Sequence, residues 1–512
     1  MSVNGGDSLF PKHEGPQSGI KTVLQYTGIP PSWLDKRPSL PSRNWLIFLS
    51  VTSAVAGYYY YDHKRCKEIR AEYVQKVQHL SKVPLPSMEL PRKVTVYGCK
   101  WPADEEYDRS IKYFRKYVKP ILVAAAVDYE MVNGRRHGDL ADRIANDIKK
   151  RRRMEAGIDE PPFNPMNLPS STLAAKRQRE LEGGVVVVGR PAFKEYMAGL
   201  KRGWTESLEL VDKEERLARV LQEDGKFDEV EPERTEVELG EGEPLPTQSK
   251  LAPSQPMTAF TGPHFKQPTQ PSPASQSDGN AIPAALNTPP ATIPPQPPVL
   301  FVPFLNRIGL TQIPMMIWDL FHERENVQSG AEAAYKLIVG ETQPMSAPLA
   351  SSHEFVDSEP TPADPHSPDS HPSDLDFDKE KEDYYKQSIV KAFKSDIQKA
   401  RDGYYKELPK KLETARALAR GTREPTSDEK SYAPPTEVEL RAERMKKELR
   451  WTSDEAGWDI IKPDAPVAWD ERFRGVLNIF VKPSQEREAE FRAHAETILR
   501  RVKEREQEQE QA

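Results

Sequence analysis

Residues 45–61 read WLIFLSVTSAVAGYYYY, seventeen residues without a charge, bounded by Arg43 on one side and by Asp62, Lys64 and Arg65 on the other. A helix rises about 1.5 Å per residue and a bilayer span takes about 17 to 25 apolar residues, so the run has the minimum length of a membrane anchor. Leu46, Ile47, Phe48, Leu49, Val51 and Val55 supply its apolar body. Trp45 at one end and Tyr58, Tyr59, Tyr60 and Tyr61 at the other are amphipathic rings of the kind that sit at a lipid interface. A buried core helix is the alternative, but four tyrosines and a basic cluster are a poor end for one. The run starts too far along the chain for a secretory signal. A second apolar stretch, 299–321, is rejected as a span because Asn306, Arg307, Asp319, Pro303 and Pro314 would have to enter hydrocarbon.

An anchor at this point leaves 44 residues before it and most of the 512-residue chain after it. The 48 prolines and a mean hydropathy of -0.72 require long linkers between packed parts. A net charge of -6 gives no global basic field, so nucleic acid is excluded as a partner class. The one dense basic cluster, KKRRR at Lys149, Lys150, Arg151, Arg152 and Arg153, is read as a solvated helix end, with acidic lipid or RNA as the alternative. Only Cys66 and Cys99 are present, enough for a single bridge and too few for a disulfide framework or a four-cysteine zinc site. None of the 11 asparagines starts a glycosylation acceptor, which argues against the secretory lumen.

The spacing predicts an α/β protein: an N-terminal tail (1–44), one transmembrane helix (45–61), then a parallel-sheet domain with helical C-terminal extensions and long disordered linkers. Over 62–84, Ile69, Tyr73, Val77 and Leu80 recur at helical steps among Lys64, Arg65, Lys67, Arg70 and Lys76. This basic amphipathic helix reads either as an internal mitochondrial targeting signal or as a helix resting on anionic lipid. Within 92–230, VTVYG (94–98), ILVAAAV (121–127) and GVVVVG (184–189) read as strands. They alternate with helices at 104–117, 138–153 and 191–202, the pattern of a doubly wound sheet. Residues 231–298, rich in Pro, Ser, Gln and acid, read as a disordered linker. VLFVPF (299–304) and the helix near 330–339 complete the α/β domain over 299–341. A second acidic linker follows (342–378), and then a helical C-terminal region (379–512). That region holds helices at 379–420 and 436–449, Trp451, Trp458 and Trp469 over apolar surface, an apolar run at 476–481, and a charged helix from Gln485.

No phosphate-binding glycine motif, HExxH or GxSxG occurs. Adjacent His322 and Glu323 lack a second histidine one turn on. Asp128 and Glu130, placed just beyond the ILVAAAV strand, would lie where open α/β sheets bind ligands, and are the one site available to an enzyme reading of glycosyltransferase-like or lipid-modifying type. Arg135, Arg136, His137 and Asp139 precede a helix, as do Gly189 and Arg190. Each set reads as an ordinary helix start, with anion binding as the alternative. In IPMMIWDLF (313–321), Met315, Met316, Trp318 and Phe321 surround the helix, which suits an adaptable protein contact, core packing being the ordinary alternative.

Several of these segments together, PPSWLDKRPSLPSRNWLIFLS, YYDHKRCKEIRAEYVQKV, KPILVAAAVDYEMVNGRRHGDLADRI, GGVVVVGRPAFKEYMAGLKRGW and FLNRIGLTQIPMMIWDLFHERENVQSGAEAAYKLIVGETQP, resemble the fungal Tim54 family, the large single-span subunit of the mitochondrial carrier translocase. The resemblance runs over 30–202 and 299–345 and more weakly over the last 130 residues. It implies a non-enzymatic scaffold in the inner membrane without catalytic residues, metal or cofactor. The N-terminal tail would lie in the matrix and the bulk in the intermembrane space. Implied partners are inner membrane lipid, a polytopic channel subunit, the small intermembrane-space chaperones and the AAA protease facing that space. Five Lys and Arg follow the run, from Lys64 to Lys76, against three from Lys36 to Arg43, the reverse of a positive-inside count, so the orientation rests on the resemblance.

Overall fold

The structure, a computed structural model, describes residues 42–85, 91–160, 173–209, 212–228, 287–346, 373–426, 429–430 and 432–511. Two compact units are present, Met1–Arg65 and Cys66–Ala512. In the first, the described residues belong to helix α1 (Arg43–Val77), which continues into the second. Among the described residues no helix is long and apolar enough to cross a membrane. The four tyrosines, with Ser50, Thr52, Ser53 and Gly57, dilute the apolar body of the run.

The second unit is built on a six-stranded sheet of order β2-β1-β3-β4-β6-β5. Its strands are β1 (Lys93–Gly98), β2 (Asp128–Asn133), β3 (Val185–Val188), β4 (Val299–Val302), β5 (Thr342–Pro344) and β6 (Asn478–Phe480). All pair in parallel except β5, which is antiparallel to β6 at one edge. In β3 and β4 the alternation of side chains serves two cores. Val186, Val188, Leu300 and Val302 face one layer, and Val185, Val187 and Val299 the other. Burying a valine contributes roughly 1.5–3 kcal/mol, so these short central strands hold much of the fold.

One layer consists of α2 (Arg109–Tyr117), α3 (Lys119–Ala124) and α9 (Glu323–Val339), joined by the last turns of α1. Val77 is fully buried there, and Tyr73 and Leu80 pack beside it. The amphipathic face expected to meet lipid, or to serve as a targeting signal, is therefore turned into the protein core. With α5 (Leu173–Gly183) and α7 (Lys213–Glu223) in the flanking connections, the other layer is α4 (Asp139–Glu155) against α6 (Gly189–Thr205). These two meet closely at Gly199, where an added Cβ would stand 2.8 Å from the Ala141 carbonyl oxygen and 2.9 Å from Ile144 Cβ.

Several expectations are corrected. ILVAAAV is not a strand: Lys119–Ala124 is helical with Pro120 in its first turn, and the left-handed backbone of Ala126 (φ 55°) turns the chain into β2. An apolar run of this length cannot be assigned by periodicity alone. The helix expected at 104–117 begins at Arg109, and the one expected at 436–449 extends as α11 (Glu437–Ile461) behind a Thr436–Glu439 capping box. The long helix expected from Lys379 starts later, as α10 (Gln387–Ala419). The C-terminal region is not only helical, since it returns β6 to the sheet before α12 (Gln485–Gln511).

Both presumed linkers have packed ends. Ile293 is buried, and the carbonyls of Pro290 and Pro295 accept from Arg472 and Arg177. Met345, beside β5, is buried as well. The remainder, 229–286 and 347–372, lies outside the described residues, as does the tail before Ser42.

Replacing Gly199 by alanine is expected to destabilise the protein by about 1–3 kcal/mol through overpacking between α4 and α6. Urea unfolding against a Gly403→Ala control, where nothing lies within 4 Å, checks it.

Candidate functional site

A ligand site in a doubly wound sheet lies beyond the carboxyl ends of the strands, where the winding reverses. Here β1 connects to β2 on one side and β3 lies on the other, which puts the reversal between β1 and β3. That crevice is filled by the chain itself. Residues 373–385 return across it, and Glu382 places one carboxylate oxygen 2.7 Å from Arg190 Nε and 2.6 Å from Lys194 Nζ. All three side chains are buried. Arg190 also donates to the carbonyls of Leu375 and Phe377, and Lys194 to that of Lys462. Burial, partly offset by Glu382, lowers the Lys194 pKa.

Aromatic packing seals the same closure. Tyr385 and Phe304 each meet Trp101 edge-on, with ring centroids 5.1 and 5.5 Å away, and Phe377 stacks on Phe301 at 4.8 Å. Asp378 accepts the N–H of Phe304. The anion position suggested by Gly189 and Arg190 is real in its chemistry, but its anion is Glu382 of the same chain. Glu382 sits in a short acidic stretch without hydrophobic periodicity, so no sequence signal pointed to it.

The remaining sequence candidates resolve locally. Asp128 and Glu130 are not beyond a strand's carboxyl end; they lie on the amino half of β2, exposed, with Lys93 2.6 Å from Glu130 and Arg179 4.0 Å from Asp128. Among the described residues no group of three His, Cys, Asp or Glu is placed to hold a metal ion. Asp139 accepts the backbone N–H of Arg136, and His137 is buried between Phe393 and Trp458, where α10 and α11 dock on the sheet domain. The KKRRR cluster is solvated at Lys150, which is exposed, while its other four side chains are engaged within the fold. Arg152 is buried against the carbonyls of Gly203 and Glu206, Arg153 pairs with Asp159, Lys149 with Glu206 and Arg151 with Glu180. Cys66 packs beside Tyr117 and Val327 and Cys99 lies in the α4–α6 layer, with no disulfide between them.

Two exposed features remain. Trp45, Leu46, Ile47, Phe48, Leu49, Val51, Val55, Tyr58, Tyr59, Tyr60 and Tyr61 are all exposed on α1. Helix α8 (Ile313–Phe321) has no buried residue, which removes core packing as its explanation.

A family model described as "Inner membrane protein import complex subunit Tim54" matches residues 21–418. The chain belongs to the Tim54 family. A protein of Cryptococcus neoformans named mitochondrial import inner membrane translocase subunit TIM54 is 36% identical over 471 residues, covering 91% of this chain and 95% of its own. The Candida albicans protein of the same name is 26% identical over 63% of this chain and 84% of its own, and the Schizosaccharomyces pombe one 31% identical over 34% and 51%. The family match spans the filled crevice, so the closure by residues 373–385 belongs to the matched region of a Tim54 chain.

Truncating Glu382 to alanine leaves two buried cations without their carboxylate and is expected to cost about 3–5 kcal/mol. Adding Arg190→Met and Lys194→Met should recover most of it, as read by denaturant unfolding. A second expectation concerns Glu195, which accepts the N–H of Leu140 at 3.0 Å. Burial pushes its pKa up to about 8, against the pull of backbone N–H donors at the start of α4. Burial and Lys100 push His137 down to about 4. The native state thus holds the Glu195 proton that the unfolded chain releases above about 4.5, so stability falls as pH rises toward 8. His137 acts in the opposite sense only below about 6.5. Between pH 6.5 and 8 the loss attributable to Glu195 should disappear in Glu195→Gln, measured by urea unfolding at both ends of that window.

Proposed function

We propose that this chain is a non-enzymatic subunit of the mitochondrial inner membrane import translocase, acting as a scaffold for the insertion of polytopic carrier proteins. The observation that carries this reading is the match to a protein named as a TIM54 translocase subunit along 91% of the chain. The filled crevice supports a binding rather than a catalytic role, because the position where an α/β enzyme would admit substrate is occupied by Glu382 and Tyr385. Nothing supports the enzyme alternative built on Asp128 and Glu130.

In the finer reading, residues 45–61 attach the protein to the inner membrane as a short single pass, with the tyrosines at the interface and the tail before it in the matrix. The body, from Cys66 onward, would lie in the intermembrane space. Its partners there would be a polytopic channel subunit, the small chaperones that deliver precursors, and the AAA protease that works on that side. The face formed by exposed Met315, Met316 and Trp318, with half-buried Phe321 at its end, is a surface left for contact outside the chain. The engagement of Lys149, Arg151, Arg152 and Arg153 within the fold supports leaving nucleic acid out.

Affinity purification of a C-terminally tagged chain from mildly solubilised mitochondria is expected to recover a polytopic channel subunit and small intermembrane-space chaperones. In mitoplasts the tag should become protease-sensitive. Recovery of the chain alone would sink the translocase reading, and a tag that stays protected would reverse the topology.

A further inference from the structure

We propose that helix α8 is an interfacial membrane helix, lying in the headgroup–acyl boundary of the membrane to which residues 45–61 attach. This inference rests on the attachment reading above and assigns a lipid, rather than a protein, to the exposed apolar surface.

Apart from Asp319 the helix is apolar, yet the fold buries none of its residues fully, only Asp319 and Phe321 being half-buried. Ile317, Trp318 and Leu320 are each more than half exposed, and Leu310, one turn before it, is 85% exposed. A helix that is apolar all round belongs in a core or in lipid. At nine residues it is about 13.5 Å long, too short to span and long enough to lie flat.

Its single charge is already compensated. Asp319, itself 44% exposed, is held 2.6 Å from Arg307 Nε, and Arg307 is only 11% exposed, so the charge is neutralised by a cation anchored in the body of the protein. The Arg307 guanidinium in turn lies over the Tyr384 ring, and Gln312 donates to the Tyr384 carbonyl, which fixes the helix to the segment that closes the crevice. A rigidly mounted, charge-neutral apolar helix loses little polar solvation on entering lipid.

Chain connectivity gives the location. Helix α9 begins at Glu323, directly after α8, and Val327 on its second turn packs against Cys66 and Tyr117. Lys116, 2.7 Å from Glu323, secures the junction. Cys66 stands five positions beyond Tyr61 in the chain, so at most about 18 Å of backbone separates them. The chain therefore enters the second unit close to where α9 and α8 join, and connectivity alone keeps that entry point near any lipid surface that Tyr61 would mark. Exposed Lys67, next to Cys66, adds a charge suited to anionic headgroups.

The test uses the full chain reconstituted into vesicles of phosphatidylcholine containing cardiolipin. Single cysteines at Met316→Cys, Val51→Cys and Tyr432→Cys carry an environment-sensitive fluorophore; native Cys66 and Cys99 are buried and stay unlabelled. Expected is a blue-shifted Met316→Cys probe, quenched by nitroxides near the lipid headgroup and protected from iodide, while Tyr432→Cys, on an 86% exposed side chain, remains open to iodide. An iodide-accessible Met316→Cys probe beside a lipid-quenched Val51→Cys probe overturns the proposal alone and returns α8 to a protein partner. Iodide access at both positions overturns the attachment reading with it.

Discussion

Everything at the carboxyl edge of the sheet depends on one carboxylate. Glu382 lies between Arg190 and Lys194 in a site where none of the three side chains reaches solvent. Buried charges of this kind add little net stability over an apolar replacement, but each is expensive without the others. The effect is to specify position: residues 373–385, arriving after a long excursion, have one placement that satisfies both cations. Phe377, Asp378 and Tyr385 then fall against Phe301, the Phe304 amide and Trp101. The crevice that makes this architecture a common host for enzymes becomes part of the hydrophobic core.

The sheet is assembled from distant stretches of chain. Val185 pairs with Val299, and Val299 with Ile479, so the central strands come together only after long loops close. Loop-closure entropy rises slowly with length, which is why such insertions are tolerated, although non-local pairing slows folding. The helical arms are fixed to this body by specific polar contacts. Lys194 of α6 donates to the Lys462 carbonyl at the end of α11, Arg444 of α11 meets Asp224 and donates to the Leu221 carbonyl, and Arg401 of α10 ties the two arms together through Glu448 of α11. The Gly457 backbone lies directly on the His137–Gly138 peptide, which leaves no room for a side chain there.

The sequence made the strands with β-branched runs legible, since VTVYG, VVVV and VLFV have no other comfortable state, and their parallel order followed from the helices between them. It was ambiguous where composition and position disagreed. ILVAAAV is as apolar as a buried strand but opens with Lys119-Pro120 and is rich in alanine, and it folds as a helix. DYEMVN is too acidic to look like a strand, yet forms one because an edge strand exposes alternate residues. The amphipathic face of Tyr73 and Val77 was visible, but periodicity states only that a face is covered, not by what. The same limit applied to α8, whose composition suits a core and whose surroundings leave it bare. Glu382 was invisible because a buried ion pair needs two segments far apart in sequence, and neither carries the other's signature.

The two margins of the sheet have a consequence for how partners can bind. β2 ends the sheet with Asp128 and Glu130 along an exposed, charged strand, and β5 ends it with three residues, the last being Pro344, which has no N–H to offer. Charge and proline at a margin are the usual means by which proteins refuse strand addition. Along both described edges an extended segment of another chain therefore finds a poor template for pairing backbone to backbone. That leaves the side-chain surfaces of the helices for intermolecular contact, and such contacts let go without unzipping a hydrogen-bonded ladder.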